Sequence, residues 1–157
     1  MDQDKPIKAK EIPENKAKSL YPDPFASRVE GRVKRKIGDY FGLVNFGVNL
    51  TELSPGSMSA LKHQHLKQDE FIYILSGNPT LIYGNNTYQM NPGDCVGFKA
   101  GNEMAHHLIN KSSDKAVYLE IGDRTEGDAV IYPEDDLCAH YKEGEGWVFT
   151  HKNGDVY

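Results

Sequence analysis

The chain has 157 residues, a mass of 17.6 kDa and a formal net charge of −5 at pH 7, which is enough for one domain with a single sizeable core. Its 15 glycines and 8 prolines recur between short runs of valine, isoleucine, tyrosine and phenylalanine, so long helices are disfavoured and an all-β chain is predicted. The longest apolar stretches fall well short of the roughly 20 residues that a membrane span needs, so we expect no membrane partner.

The first 28 residues differ in composition from the rest. They are rich in lysine, glutamate and proline, and they predict an extended arm (1–28) that packs on the body or on a second subunit without starting a core. The start of the chain lacks the apolar centre of a secretory signal, and two cysteines, Cys95 and Cys138, are too few for a disulfide framework. We therefore expect a cytoplasmic protein with reduced thiols and one domain over 29–157.

Charge is unevenly distributed along the chain. Residues 1–36 hold ten Lys and Arg against six Asp and Glu, whereas the remainder holds eight against seventeen. Phosphate contacts need clustered cations, so the acidic body argues against nucleic-acid binding. The one basic cluster, Arg32–Lys36, is predicted to be a solvated edge strand whose charges discourage pairing with other chains, with an anion or polynucleotide patch as the alternative.

Beyond this cluster, short strand-like segments alternate with turn signals. The predicted strands cover 41–53, 58–65, 70–75, 80–83, 87–90, 95–98, 106–110 and 116–121. Their separators contain Pro-Gly, Gly-Asn and Asn-Asn pairs of the kind that form tight turns. This spacing is typical of a small β-sandwich or barrel. The tail from residue 133 is less regular, although 147–149 could add an edge strand.

Four of the six histidines lie in two short clusters. His63 and His65 share one face of a strand, about 6.6 Å apart along the backbone, so both imidazoles can converge on one point. Glu70 opens the next apolar strand, and a carboxylate facing an apolar interior needs a partner. A divalent cation held by this oxygen and three neutral nitrogens would supply it, with the third nitrogen from His106 or His107. The alternative is that the histidines only form hydrogen bonds to Glu70.

These clusters resemble the two motifs of the cupin superfamily. The first motif is a glycine, a His-x-His pair, a glutamate and a closing glycine; the second is a glycine turn, a further glycine, a histidine and an asparagine. The matching residues are Gly56, His63, His65, Glu70 and Gly77 in the first motif (56–77), and Gly93, Asp94, Gly101, His106 and Asn110 in the second (93–110).

The resemblance covers about residues 40–122 and implies a double-stranded β-helix, the jelly-roll barrel of the cupins. It also implies an interior site for Fe, Mn, Ni, Co or Zn with the ligands His63, His65, Glu70 and His106. His106 is favoured over His107 because Asn110 stands four residues after it, as in the second motif. Outside these motifs, the chain is also similar to a bacterial group of single-domain cupins, some of which carry sugar-phosphate isomerase labels; the segments that carry this resemblance are 39–43, 45–49, 69–71, 122–124, 132–133 and 136–137.

A shell of three histidines and one glutamate leaves about two octahedral positions on a redox-capable metal for water, substrate or dioxygen. We therefore predict a metal-dependent enzyme that acts on a small oxygen-rich molecule (a sugar, sugar phosphate, or keto or hydroxy acid) by an isomerase-like or a dioxygenase reaction. The alternative is a non-catalytic cupin that binds or senses a small ligand through its metal. The predicted catalytic residues are Glu70, Tyr118 and Glu120, and the further inward-facing candidates are Asn45, Asn49, Tyr83 and Tyr88.

A single barrel leaves sheet edges exposed, and the tail carries aromatic and β-branched residues at 147–149 and 156–157. Burying these residues against a second copy would remove apolar surface from water and cover the edges. We therefore expect a two-fold homodimer.

Overall fold

The computed structural model describes residues 5–157, so residues 1–4 of the predicted arm lie outside the described part of the chain. The strands are β1 (Arg32–Lys36), β2 (Phe46–Leu53), β3 (Gln64–His65), β4 (Glu70–Ser76), β5 (Thr80–Tyr83), β6 (Asn86–Gln89), β7 (Cys95–Phe98), β8 (His106–Ile109), β9 (Ala116–Asp123), β10 (Ala129–Tyr132), β11 (Leu137–Lys142) and β12 (Gly146–Thr150). The helical elements are 3-10 turns at Ala9–Glu11 and Ala26–Val29 and one α-helical turn, α1, at Ile37–Tyr40. Within 5–157, no helix is long and apolar enough to cross a membrane.

The strands form two layers. One layer is a five-stranded antiparallel sheet in the order β1-β2-β9-β4-β7. The other combines the sheets β12-β11-β10-β3 and β6-β5-β8, which meet where His63 bridges His106. This arrangement confirms the predicted all-β class and the double-stranded β-helix.

The main core lies between the layers. On β4, Ile72 and Ile74 are buried whereas Phe71 and Tyr73 are exposed, as the two-residue period of a strand requires. The core residues are Leu53, Ile72, Ile74, Leu81, Met90, Phe98, Leu108, Ala116 and Tyr118. Because Glu70 is two residues before Ile72, it shares the inner face and points into the barrel.

Gly77, the closing glycine of the first motif, follows β4 in a left-handed conformation with φ +76°. A Cβ at this position would lie 2.5 Å from the Lys115 carbonyl oxygen. Glycine meets both conditions because it has no Cβ and tolerates positive φ. Gly77 therefore lets the chain turn from β4 toward β5 while its backbone lies close to the Lys115 carbonyl.

The arm packs on the body of its own chain. Phe25 is 8% exposed and contacts Tyr157 edge to face, with ring centroids 5.7 Å apart. Tyr21 contacts the rings of Tyr132 and Phe149 in the same way, again at 5.7 Å. The expectation that no core begins in the arm is therefore wrong. These aromatic residues stand isolated in a polar segment and acquire apolar partners from residues far along the chain.

The tail is more regular than predicted. β10 pairs with β11 along its whole length, and β12 adds the expected edge strand. One face of this sheet forms a second core with the arm: Phe25, Leu61, Val130, Tyr132, Leu137 and Ala139. Trp147 and Phe149 pack against this second core, so these two aromatic side chains, expected to meet a second copy, have partners within the chain.

β1 lies at an edge of the five-stranded sheet, as predicted for the basic cluster. It is less solvated than expected, because Arg35 forms ion pairs with Glu52 at 2.6 Å and with Glu14 at 2.7 Å. Arg32 and Lys34 line an open cleft that leads into the barrel. The cations of this strand therefore pair with carboxylates of the same chain or line its cleft.

Candidate metal centre

Four residues converge inside the barrel. His63 stands just before β3 and His65 ends it, whereas Glu70 begins β4 and His106 begins β8. Reciprocal backbone hydrogen bonds of 3.1 and 2.8 Å hold His63 beside His106. All three histidines direct Nε2 at the same Glu70 oxygen, Oε2. The distances are 3.5 Å for His63, 3.7 Å for His65 and 3.2 Å for His106. The ligand atoms of His63, Glu70 and His106 all lie within 4.8 Å of one another, and His65 Nε2 approaches the same Glu70 oxygen.

Hydrogen bonds on the far side of two imidazoles decide which nitrogen faces Glu70. His63 Nδ1 lies 2.8 Å from the Leu61 carbonyl oxygen, and His65 Nδ1 lies 2.6 Å from Asp128 Oδ2. Both partners are acceptors, so each neutral ring carries its proton on Nδ1 and directs the Nε2 lone pair at the Glu70 carboxylate. Electron pairs that converge in this way attract a cation. The donor set therefore fits a divalent metal ion of the type that nitrogen and oxygen ligands bind.

The two adjacent histidines of β8 point in opposite directions. The His106 ring stacks on Phe98, with centroids 3.4 Å apart, and its Nε2 faces Glu70. His107 instead directs Nδ1 at the Ala60 carbonyl oxygen, 3.0 Å away. Successive strand residues alternate between faces, so only His106 reaches the cluster.

Asp128 belongs to this site, although the sequence analysis did not identify it. Its side chain is fully buried, and Oδ1 accepts hydrogen bonds from the backbone N–H groups of Lys67 at 2.8 Å and Gln68 at 3.3 Å. It lies 63 residues from His65, just before β10, and no motif spacing links it to the histidines. Carboxylate partners of this kind fix the orientation and tautomer of a metal-ligating imidazole.

Burial and neighbouring charges oppose each other within the cluster. Burial raises the pKa of Glu70, but the His106 and His63 rings, whose Nε2 atoms donate to its carboxylate in the protonated form, outweigh burial and hold this pKa well below its usual value. Burial lowers the pKa of His65, but Asp128 and Glu70 outweigh it and leave this pKa raised. For His106 burial dominates, and the pKa is lowered. Glu70 is therefore ionised at neutral pH, as a metal ligand must be.

A second carboxylate, Glu120, lies on the same inner face, two residues along β9 from Gly122, the partner of Glu70 in the sheet. Its oxygens accept hydrogen bonds from Lys34 Nζ at 2.7 and 3.0 Å and from Asn49 Nδ2 at 3.3 Å. These contacts from β1 and β2 hold the carboxylate at the wall of the cleft.

The other predicted residues occupy different surroundings. Tyr118 is 1% exposed within the main core, and its hydroxyl lies 3.4 Å from Glu120 Oε2. Burial raises the pKa of Tyr118 well above its usual value, so the phenol stays protonated behind Glu120. The Tyr83 ring stands edge-on to His106 at 6.3 Å. Asn45 and Tyr88 are exposed to solvent, so the prediction that they face inward is wrong.

An open cleft of about 1660 Å³ connects the cluster with solvent. β1 contributes Arg32 and Lys34 to its lining, and Tyr21 and Tyr132 come from the arm and β10. His63, His65, Glu70 and Glu120 line the same cleft. A small polar molecule can therefore contact the candidate metal ligands and Glu120 together.

Residues 49–122 match the family model of the Cupin domain, whereas no curated protein matches the chain significantly. The structure is similar to that of a sugar phosphate isomerase of the cupin superfamily from Silicibacter pomeroyi, with 33% sequence identity, coverage of 98% of this chain and 96% of that chain, and a TM-score of 0.91. It is also similar to a protein from Acidithiobacillus ferrooxidans that is provisionally named a sugar phosphate isomerase, with 31% identity, coverage of 88% and 95%, and a TM-score of 0.73.

The structure is also similar to that of the polyketide cyclase RemF from Streptomyces resistomycificus, with a TM-score of 0.61, 18% identity and coverage of 76% of this chain and 78% of that chain. At this identity the similarity concerns the fold alone. Full-length similarity at 33% identity to the Silicibacter protein is a stronger relationship. Together with the matched family model and the double-stranded β-helix, it shows that the chain belongs to the cupin superfamily.

Proposed function

We propose that this protein is a metal-dependent isomerase of a small oxygen-rich molecule, with a sugar phosphate as the substrate class. The observation that supports the proposal most is the position of Glu120, a second fixed carboxylate in the cleft that exposes the histidine and Glu70 cluster. The names of the Silicibacter and Acidithiobacillus proteins point to the same substrate class.

The residues that would hold the metal are His63, His65, Glu70 and His106, whose inward electron pairs match the donor set. A bound divalent ion would polarise a substrate carbonyl oxygen and stabilise the negative charge that develops on it. Glu70 would serve as a ligand and would offset one of the two positive charges.

Glu120 is the proposed proton-transfer group. Its carboxylate removes the proton from the carbon next to the substrate carbonyl and returns it to the neighbouring carbon, while the hydroxyl proton moves to the former carbonyl oxygen. Lys34 and Asn49 hold the carboxylate in place. Tyr118 is a positioning residue in this scheme, because it contacts Glu120 from within the core.

Proton exchange tests this reaction directly. Metal-reconstituted protein is incubated in D₂O with a panel of aldose and ketose phosphates, and deuterium incorporation next to the carbonyl is followed by NMR. Wild-type protein should catalyse exchange, and Glu120→Gln should reduce it by about a hundredfold or more, the usual contribution of a general base. Glu126→Gln is the matched control, because Glu126 is an exposed carboxylate that lines the same cleft.

Two other outcomes would replace this proposal. Oxygen uptake by iron-loaded protein during the substrate screen would identify a dioxygenase. Saturable ligand binding without deuterium incorporation or turnover would identify a non-catalytic binding or sensing protein.

A further inference from the structure

Arg32 is the first residue of β1, and its side chain faces the cleft. In the pairing of β1 with β2, Arg32 lies opposite Leu53, a fully buried residue of the inner face of β2. Its Nη1 donates a hydrogen bond to the Ser59 carbonyl oxygen on the opposite layer. This contact directs the guanidinium across the cleft and holds it there.

The neighbouring cations have acidic partners, whereas Arg32 has none among residues 5–157. Lys34 pairs with Glu120 at 2.7 Å, and Arg35 pairs with Glu52 at 2.6 Å. The guanidinium of Arg32 takes part in no ion pair within the described chain, although it is shielded partly from solvent. A charge in such a position is stabilised when an anion binds to it, and the planar guanidinium presents paired donors to phosphate or carboxylate oxygens.

Two hydroxyl groups lie beside this charge. The rings of Tyr21 and Tyr132 contact each other edge to face, and both side chains line the cleft with Arg32. Burial raises the pKa of both tyrosines, and the nearby Arg32 charge offsets part of this effect. Phenol hydroxyls donate hydrogen bonds to anions, so the surroundings of Arg32 contain additional donors. Within residues 5–157, Arg32 has no carboxylate as an ion partner.

Arg32 is also close to the candidate metal ligands. The Ser59 N–H donates to the Leu108 carbonyl at 2.9 Å, and Leu108 follows His106 by two residues, which corresponds to about 7 Å along a strand. The Tyr132 ring centroid is 6.0 Å from that of His63. Arg32 and the candidate ligands His63, His65 and Glu70 also line the same cleft, so one small molecule can contact both.

We propose that Arg32 binds an anionic group of the substrate, a phosphomonoester or a carboxylate, while the carbonyl and hydroxyl end of the same molecule reaches the histidine and Glu70 cluster. This inference rests on the proposed function and extends it, since it assigns the charged end of the substrate to Arg32, in the same cleft as the histidine and Glu70 cluster. Lys34 is less suited to this task because Glu120 already neutralises it.

Binding to metal-free protein tests the inference without requiring turnover. Calorimetric titrations use glycerol 3-phosphate, glycerate and glycerol, three molecules with the same carbon skeleton and different charged groups. Wild-type protein should bind one of the two anions and not glycerol, and the preferred anion distinguishes a phosphate from a carboxylate subsite. Arg32→Met should weaken that binding about tenfold or more, through loss of charge-assisted hydrogen bonds.

The matched control is Lys36→Ala, which removes an equal charge from the same face of β1 at an exposed position. Its affinity should stay within about twofold of the wild type. If both variants weaken anion binding equally, the effect is one of diffuse charge and the inference is overturned. Unchanged affinity in Arg32→Met or tight binding of glycerol would also overturn it. If Arg32→Met fails to fold, Arg32→Lys provides the test, because it retains the charge and loses the paired donors. Failure of deuterium exchange in the isomerase assay would leave these binding results unaffected.

Discussion

His65 and Asp128 form a hydrogen bond of 2.6 Å between Nδ1 and Oδ2, although 63 residues separate them in the chain. The carboxylate is fully buried and is held on its other oxygen by the backbone N–H of Lys67. This arrangement fixes the His65 ring with Nε2 toward Glu70, 3.7 Å from its carboxylate. The candidate metal centre thus has a supporting partner as well as ligands.

Asp128→Asn should weaken metal binding about 10- to 100-fold, the usual effect of losing such a partner. The amide oxygen would stay with the Lys67 N–H, so the amide NH₂ would face His65 Nδ1. A donor at that position forces the ring proton onto Nε2, and this nitrogen can then no longer bind a metal. Competition titrations with a metal-binding dye measure the affinity.

Asp123→Asn is the control for this substitution. Asp123 accepts hydrogen bonds from the backbone N–H groups of Asp69 and Thr125 and does not contact the histidines. Its replacement should leave metal affinity unchanged. Equal affinities of Asp128→Asn and wild-type protein would contradict the role of Asp128.

His106→Ala should abolish stoichiometric metal binding, whereas His107→Ala should retain it. The reason is that His106 Nε2 lies 3.2 Å from Glu70 Oε2, while His107 is turned toward the Ala60 carbonyl. Metal content after purification without a histidine tag, determined by mass spectrometry, distinguishes the variants. The reverse result would mean that β8 is shifted by one residue.

Metal binding should weaken as pH falls, because histidine binds a metal only when neutral and a free imidazole protonates around pH 6.5. Burial lowers the pKa of His65, but Asp128 and Glu70 raise it on balance, so protonation begins above that value. A raised histidine pKa stabilises the metal-free fold in acid, and this contribution is lost as pH rises through the folded pKa.

The difference in melting temperature between metal-loaded and chelator-treated protein should therefore be large at about pH 8 and small at about pH 5. Differential scanning fluorimetry across this range measures it. Identical melting of the two forms at pH 7 would show that no metal binds to the folded protein.

Phe25→Ala should lower the free energy of unfolding by about 2–4 kcal/mol, because a nearly buried aromatic ring of the second core is lost. Leu20→Ala is the control in the same arm, since Leu20 is 72% exposed, and it should change stability by less than about 0.5 kcal/mol. Urea denaturation measures both. A negligible effect of Phe25→Ala would mean that the arm does not pack on the body in solution.

We also expect a homodimer, because the barrel leaves β6 and β7 at open sheet edges. Static light scattering at micromolar concentration should give twice the chain mass of 17.6 kDa. A mass near that of one chain would contradict this expectation.

The sequence by itself determined the strand class and the convergence of His63, His65 and Glu70. This was possible because both follow from local spacing: alternation assigns residues to one face of a strand, and glycine turns such as Gly77 fix where strands end. The preference for His106 over its neighbour came from the resemblance to the second cupin motif, in which an asparagine stands four residues after the histidine, as Asn110 does here.

Only the tertiary structure decided which groups surround these ligands. Asp128, the aromatic contacts of Phe25 and Tyr21, and the orientation of Arg32 toward Ser59 all depend on segments that lie far apart in the sequence. Local periodicity carries no information about such partners, since burial and hydrogen bonding between distant strands are fixed when the layers pack together. The same packing places Tyr118 behind Glu120 in the core and leaves Glu120 in the cleft.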